Sequence, residues 1–248
     1  MEKRLEPILD LRTKVMKFLN GKVNDFFLGG GTALSLHYLH HRESFDLDFF
    51  TKDFSESRIK AIILEIENSL GIKITVNAIV VLKNRAKIWR GFIPLSGEEH
   101  FDEDDDKNSL KIDFIEDVYD DIPSREIVID GIPILSPENI YLRKIYAICG
   151  VLETEDEIGR KRFAGGRQEA KDFFDLYFLS KDYMRLSQFV AKHRPKEKDK
   201  VITWYSSYNR EEMKLGINEL IVSKETDFHS IERHFKKEID DIIEQELD

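Results

Sequence analysis

A glycine turn joined to a carboxylate pair constrains this chain more than any other feature. Phe-Leu-Gly-Gly-Gly-Thr-Ala-Leu occupies residues 27–34, and His-Arg-Glu-Ser-Phe-Asp-Leu-Asp-Phe-Phe follows at 41–50. Side-chain direction repeats every second residue along a strand, so Asp46 and Asp48 project from one face and can share a cation. Phe45, Leu47 and Phe49 point the other way, into a core. Chemistry therefore occupies one face of the strand and packing the other.

A third acid extends the pattern. Ser-Leu-Lys-Ile-Asp-Phe-Ile at 109–115 reads as another strand, with Leu110, Ile112 and Phe114 on one face and Lys111, Asp113 and Ile115 on the other. If this strand lies beside the first, three carboxylates converge, and their mutual repulsion calls for positive charge. Magnesium suits such a cluster, being a hard ion that takes oxygen ligands and completes its shell with substrate phosphates. Two such ions, about 3.5 to 4 Å apart, can activate a hydroxyl and steady a leaving pyrophosphate. The chemistry to which this points is nucleotidyl transfer.

The rest of the chain divides into an α/β part and a helical part. Residues 3–20 read as an amphipathic helix closed by Asn20-Gly21, then a strand at 25–28 leads into the glycine turn and a helix from Thr32. The Asp46 strand, a helix at 55–69 and strands near 72–82, 86–93, 109–115 and 126–134 complete a mixed α/β unit over 1–135. From Ser136-Pro137-Glu138 helical periodicity dominates, which gives a mostly helical second domain over 136–248 with breaks at Gly165-Gly166 and Pro195. The expected active site lies in the cleft between the two.

Charge restricts the partners. The formal net charge of −10 opposes nonspecific binding to nucleic acid, whose phosphates require clustered lysine and arginine. Distribution matters more than the sum. Acids concentrate at 98–106 and after Glu238, whereas cations gather at Arg160, Lys161, Arg162, Arg167 and Lys171, and at Lys192, His193, Arg194, Lys196, Lys198 and Lys200. Such runs form solvated faces, or beside an active site they guide an RNA end. The acidic run 98–106 reads as a loop between strands that solubilises the chain, binds metal nonspecifically or excludes wrong polyanions.

One cysteine allows no internal disulfide, no run is long enough to span a bilayer, and the start lacks a signal peptide's apolar segment, so a cytoplasmic protein is expected. Cys149 sits in an apolar run and reads as a packing thiol. His37 and His41 stand four apart, a spacing that can bind zinc, but without the accompanying glutamate of a zinc protease motif.

The runs Gly-Gly-Thr-Ala-Leu at 30–34, His-Arg-x-Ser-x-Asp-Leu-Asp-Phe-Phe at 41–50, Lys-x-Asp-Phe at 111–114 and Arg-x-x-x-Lys-Asp-x-x-Asp-Leu at 167–176 together resemble the motifs of the AbiEii/AbiGii toxin family. These are nucleotidyltransferases of the polymerase-beta superfamily, and the resemblance runs from about Phe26 to Leu179. It implies the superfamily's mixed sheet with helices, followed by the helical domain. It also implies that Gly30, Gly31 and Thr32 hold the triphosphate, that Asp46 and Asp48 ligate two magnesium ions, and that Asp113 ligates the catalytic one while accepting the acceptor hydroxyl's proton. Arg42 and Lys144 would contact phosphates, and Asp172 and Asp175, three apart on one helical face, match the family's fourth motif at the nucleotide. Threonine stands where the wider superfamily usually has serine, which keeps the hydroxyl, and a slightly longer spacer precedes Asp46.

By the same resemblance the substrate is a nucleoside triphosphate and the acceptor an RNA end such as that of a transfer RNA. The role implied is that of the toxin of a toxin–antitoxin pair or phage-defence system, partnered by a separately encoded antitoxin. Two alternatives stand beside it. The same metal site would serve an enzyme that nucleotidylates a protein hydroxyl, for which the basic clusters are unnecessary, or the fold would bind a nucleotide without turnover, against which the intact acid trio argues.

Overall fold

The computed structural model describes residues 5–81, 86–95, 108–125, 127–149, 152–155, 161–164 and 166–247. The acidic run 98–106 and Arg160 lie outside these residues. The chain divides into two units, the first made of Met1–Ala33, Ser44–Asp120 and Ser124–Ser136, the second of Leu34–Glu43, Asp121–Pro123 and Pro137–Asp248. The expected change of character after Leu135 is therefore joined by an exchange of chain, because the segment carrying His41 and Arg42 groups with the later helices. Main-chain bonds fix it there, with Glu43 N donating to Ile221 O at 2.8 Å and Arg42 bridging Val222.

In the first unit, strands β1 (Phe27–Leu28), β2 (Leu47–Thr51), β3 (Thr75–Val81), β4 (Lys87–Pro94), β5 (Ser109–Glu116), β6 (Ile127–Ile129) and β7 (Ile132–Ile134) form one mixed sheet in the order β3-β4-β5-β2-β1-β7-β6. The β2–β5 and β1–β7 pairs are parallel, and the others are antiparallel. The single strand expected over 126–134 is a hairpin. Asp130 and Gly131 both take positive φ, 48° and 69°, and that pair of conformations matches the right-handed twist of the strands it joins.

The alternation read from the sequence sets the two faces of the sheet. Leu47, Phe49, Leu110, Ile112 and Phe114 are fully buried. Phe114 stacks on Phe49 with ring centroids 5.5 Å apart and meets the edges of Phe26 and Trp89. Helices α1 (Leu5–Leu19) and α3 (Glu56–Leu70) flank these strands in sequence. Helix α3 buries Ile59, Ile62, Ile63 and Ile66, spaced for one helical face, and ends on Gly71 in the left-handed conformation.

Two departures bear on the site. Strand β2 begins at Leu47, so Asp46 stands one residue before it and Phe45 is only half-buried. The helix after the glycines is α2 (Gly30–Ala33), a single turn that passes into a wider π-helical turn at Leu34–Tyr38.

The second unit is mainly helical, with α4 (Pro137–Cys149), α5 (Ala170–Phe178), α6 (Leu186–His193), α7 (Lys198–Ser207), α8 (Arg210–Glu219) and α9 (Phe228–Leu247). A hairpin of β8 (Leu152–Glu155) and β9 (Lys161–Ala164) interrupts the helices that periodicity led us to expect there. Aromatic contacts dominate the core. Phe173 packs against Trp204, Tyr208 and Phe235, and Tyr141 stacks on Phe189 at 4.1 Å. Cys149 is buried within α4, and burial pushes its thiol pKa up to about 12, as expected of a packing residue. Among the described residues no helix is long and apolar enough to cross a membrane.

Candidate active site

Register brings the acids together. Asp48 pairs with Asp113 across β2 and β5, and Asp113 pairs with Arg90 across β5 and β4. One row therefore crosses three strands as Arg90, Asp113, Asp48. Lys111 lies two residues before Asp113 on the same face, and its Nζ is 2.7 Å from Oδ2 of Asp46. Arg90 holds Asp113 with a two-pronged contact, Nε to Oδ1 at 3.0 Å and Nη2 to Oδ2 at 2.7 Å. Asp113 is 2% exposed.

All three acids act on one cation. Burial opposes the charge on Lys111, yet the fields of Asp46, Asp48 and Asp113 together outweigh it and raise its pKa.

The glycine turn is pressed against the same row. Gly29 N donates to Asp48 O at 2.8 Å, and Gly30 has φ of +62°. A Cβ on Gly30 would stand 2.2 Å from Oδ2 of Asp48, and one on Gly29 would enter the Phe50 ring at 2.6 Å. Gly29 thus has no room for a side chain, whereas at Gly30 the positive φ favours glycine and a Cβ would displace the Asp48 carboxylate. Gly31 and Thr32 are buried in the following turn. Thr32, expected to meet the triphosphate through its hydroxyl, has that hydroxyl fully buried, bonded to Ser44 Oγ at 3.0 Å and donating to the Asp46 carbonyl. It holds the carboxylate segment in place.

Arg42, Lys144, Asp172 and Asp175 form a separate cluster in the second unit. Arg42 grips Asp175 through Nε at 2.6 Å and Nη2 at 2.8 Å, and Lys144 Nζ lies 2.5 Å from Asp172 and 2.6 Å from Asp175. His41 Nε2 is 2.7 Å from Asp175, and Arg167 reaches Asp172 at 2.9 Å. Both aspartates are completely buried, which opposes their charge, but Arg42 and Lys144 hold Asp175 well below the usual carboxylate range, and Lys144 and Arg167 hold Asp172 below it. Arg42 and Lys144, read from the sequence as phosphate contacts, are paired with these carboxylates. Two buried acids on one helix need paired cations. Of this set only Arg167, with half its side chain exposed, presents substantial surface.

Among the described residues no group of three or more His, Cys, Asp or Glu side chains is arranged to hold a metal ion. His41 is committed to Asp175, so the zinc spacing with His37 has another use. In the acid row, Arg90 and Lys111 stand where an ion's charge would act. The donor set nevertheless fits magnesium: three carboxylates, a hard-oxygen set, on one face.

Sequence reasoning gave no role to Arg90 and weighed His41 only for zinc. The signal for Arg90 was present in Ile-Trp-Arg-Gly-Phe-Ile at 88–93, where a lone cation in an apolar strand needs an acid across the sheet.

Comparison with known proteins identifies the family of the chain. The family model described as nucleotidyl transferase AbiEii toxin, type IV TA system, matches residues 18–248. The chain belongs to this family. An AbiEii chain is a nucleotidyltransferase of toxin type, and membership implies a nucleoside triphosphate substrate and an antitoxin counterpart. The AbiEii chain also resembles the crystal structure of an H. pylori protein named for its proposed nucleotidyltransferase activity, with a TM-score of 0.53 and 22% identity, covering 99% of this chain and 98% of that one. At that identity the likeness establishes the fold. The structure of JHP933 from Helicobacter pylori also aligns, with a TM-score of 0.49 and 22% identity, over 100% of this chain and 96% of that one. None of the curated proteins compared with the chain matches it.

Proposed function

We propose that this AbiEii chain transfers a nucleoside monophosphate from a nucleoside triphosphate to an RNA end, with Asp46, Asp48 and Asp113 as its catalytic acids. The observation that carries this is the direct pairing of Asp48 with Asp113 beside a glycine turn in which a Cβ on Gly30 would displace the Asp48 carboxylate. Asp46 and Asp48 would hold magnesium, with Asp113 completing the set at one ion. When bound, magnesium supplies charge that stabilises the α-phosphoryl group and the departing pyrophosphate.

The chain's own residues then have distinct tasks. Asp113 accepts the proton of the acceptor hydroxyl, whose oxygen bonds to the α-phosphorus. The bond from that phosphorus to the bridging oxygen breaks, and its electron pair leaves with pyrophosphate. Gly30 and Gly31 let main-chain amides approach the triphosphate, and Thr32 fixes the Asp46 carbonyl and so the first acid's direction. Asp172 and Asp175 act as positioning residues for Arg42, Lys144 and Arg167.

The RNA reading draws on the basic run that spans the last turn of α6 and the residues just after it, where Lys192 and Lys196 are exposed. By contrast Arg167 and Lys171 are committed to acids, Lys171 lying 3.1 Å from Glu169. Reversing charge at Lys192 and Lys196 should weaken RNA binding and flatten its log-log salt dependence by up to about 1.4 units for single strands. Binding of the triphosphate without RNA should persist. A salt-insensitive wild-type chain that labels only protein would overturn the RNA acceptor.

A further inference from the structure

Arg90 is not explained by the roles above. It sits on β4 in register with Asp113, and its guanidinium takes both carboxylate oxygens, at 3.0 and 2.7 Å. The two partners differ in accessibility, since the Asp113 side chain is 3% exposed and the Arg90 side chain 35%. An ordinary surface ion pair exposes both members and contributes little. Here an inaccessible acid, beside a second acid, is covered by a cation that solvent can reach.

That arrangement has a consequence for loading. A fork that binds both oxygens leaves Asp113 few lone pairs for another cation. Guanidinium stays protonated at any working pH, so it leaves the carboxylate only when another anion takes it. A polyphosphate offers oxygens at a spacing that suits the same fork, and the Asp48–Gly30 contact lies on the same row of strands.

We propose that Arg90 is an exchangeable counter-ion: in the resting chain it closes Asp113 to metal, and it transfers to the polyphosphate of an arriving nucleoside triphosphate, releasing Asp113. This rests on the nucleotidyl-transfer reading. It makes metal and triphosphate bind cooperatively, each favouring the other by the same factor. Arg90 is then a substrate-contacting residue in the loaded state as well as a guard in the empty one.

The test is Mn2+ binding without nucleotide, followed by electron paramagnetic resonance, in the unsubstituted chain, Arg90→Gln, Arg90→Lys and Asp113→Asn. Arg90→Gln should bind Mn2+ about tenfold more tightly and a non-hydrolysable triphosphate about tenfold less tightly, a factor within the usual range of coupling between two sites. Arg90→Lys, which keeps the charge but loses the fork, should fall between and guards against misfolding of the glutamine variant. A melting temperature that drops in EDTA and recovers with Mn2+ only when Arg90 is replaced would support the exchange directly. Unchanged or weaker Mn2+ binding in both Arg90 variants, with normal binding of Mn2+ plus triphosphate by the unsubstituted chain, would overturn Arg90's role alone. If the unsubstituted chain binds neither, or if Asp113→Asn binds Mn2+ plus triphosphate as tightly as it does, the nucleotidyl-transfer site falls and Arg90's role with it.

Discussion

Asp48 and Asp113 are register partners on parallel strands, and the backbone of Gly30 closes over Asp48. Neither strand could slip by one residue without turning its acid into the core, where Phe49 and Phe114 stack. Apolar packing on one face thus specifies carboxylate placement on the other.

Asp48→Asn and Asp113→Asn keep side-chain volume while removing charge. Each should reduce nucleotide transfer by about 10²–10⁴-fold, the usual range for loss of acid–base function. The fold should survive in both. Labelled-triphosphate turnover alongside melting curves separates loss of chemistry from loss of structure, and near-normal turnover in either variant would remove that residue from the site.

Gly30 and Gly21 offer a matched pair. Both have positive φ, +62° and +69°, but a Cβ on Gly30 meets Asp48 whereas nothing lies within 4 Å of one on Gly21. Gly21→Ala should therefore cost only the left-handed penalty, about 1–2 kcal/mol. Gly30→Ala should cost more and abolish transfer as well. Equal destabilisation by denaturant titration, with activity intact in both, would refute the close approach.

These contrasts show what the sequence could convey. The two-residue period of β2 and β5 marked Asp48 and Asp113 because Leu47 and Phe49, and Leu110, Ile112 and Phe114, fill the opposite face of each strand, and the glycines marked a tight turn. The tasks of Arg42 and Lys144 were not legible. A cation bound to a phosphate and one bound to a buried aspartate look alike until helices α4 and α5 are packed, and nothing local to residues 41–42 announces a partner at 175. The π-helical turn at Leu34–Tyr38 and the β8–β9 hairpin were equally hidden, since both were set by context beyond local periodicity.

The buried cluster should control acid stability. The carboxyls of Asp172 and Asp175 are lowered in the folded chain, so the unfolded chain binds more protons as pH falls through the ordinary carboxylate range near 4. His41 adds to this from higher pH: burial lowers its pKa despite Asp175, so the unfolded chain takes up that proton first, below about 6.5. Stability should thus decline gently below about 6.5 and steeply below about 4. Asp175→Asn should lose about 3–5 kcal/mol at neutral pH, because Arg42 and Lys144 remain buried with too little negative charge. Chemical denaturation across pH checks both, and a flat profile from pH 7 to 3 would contradict the network.

Magnesium with a triphosphate should stabilise the chain by mass action, by about 2.7 kcal/mol at one hundred times the dissociation constant. Asp48→Asn should abolish that gain. Calorimetric melting with both ligands, each alone and neither measures it. No shift at millimolar concentrations would count against the site.

The most direct measurement of the central claim follows an α-labelled nucleoside triphosphate incubated with the chain, magnesium and total RNA, with pyrophosphate release recorded in parallel. Label should be joined covalently to RNA, with pyrophosphate in equal amount, and both should be lost in Asp48→Asn and Asp113→Asn. Label on RNA that persists undiminished in both variants, or a folded wild-type chain that binds triphosphate yet releases no pyrophosphate with any RNA or protein acceptor, would contradict it.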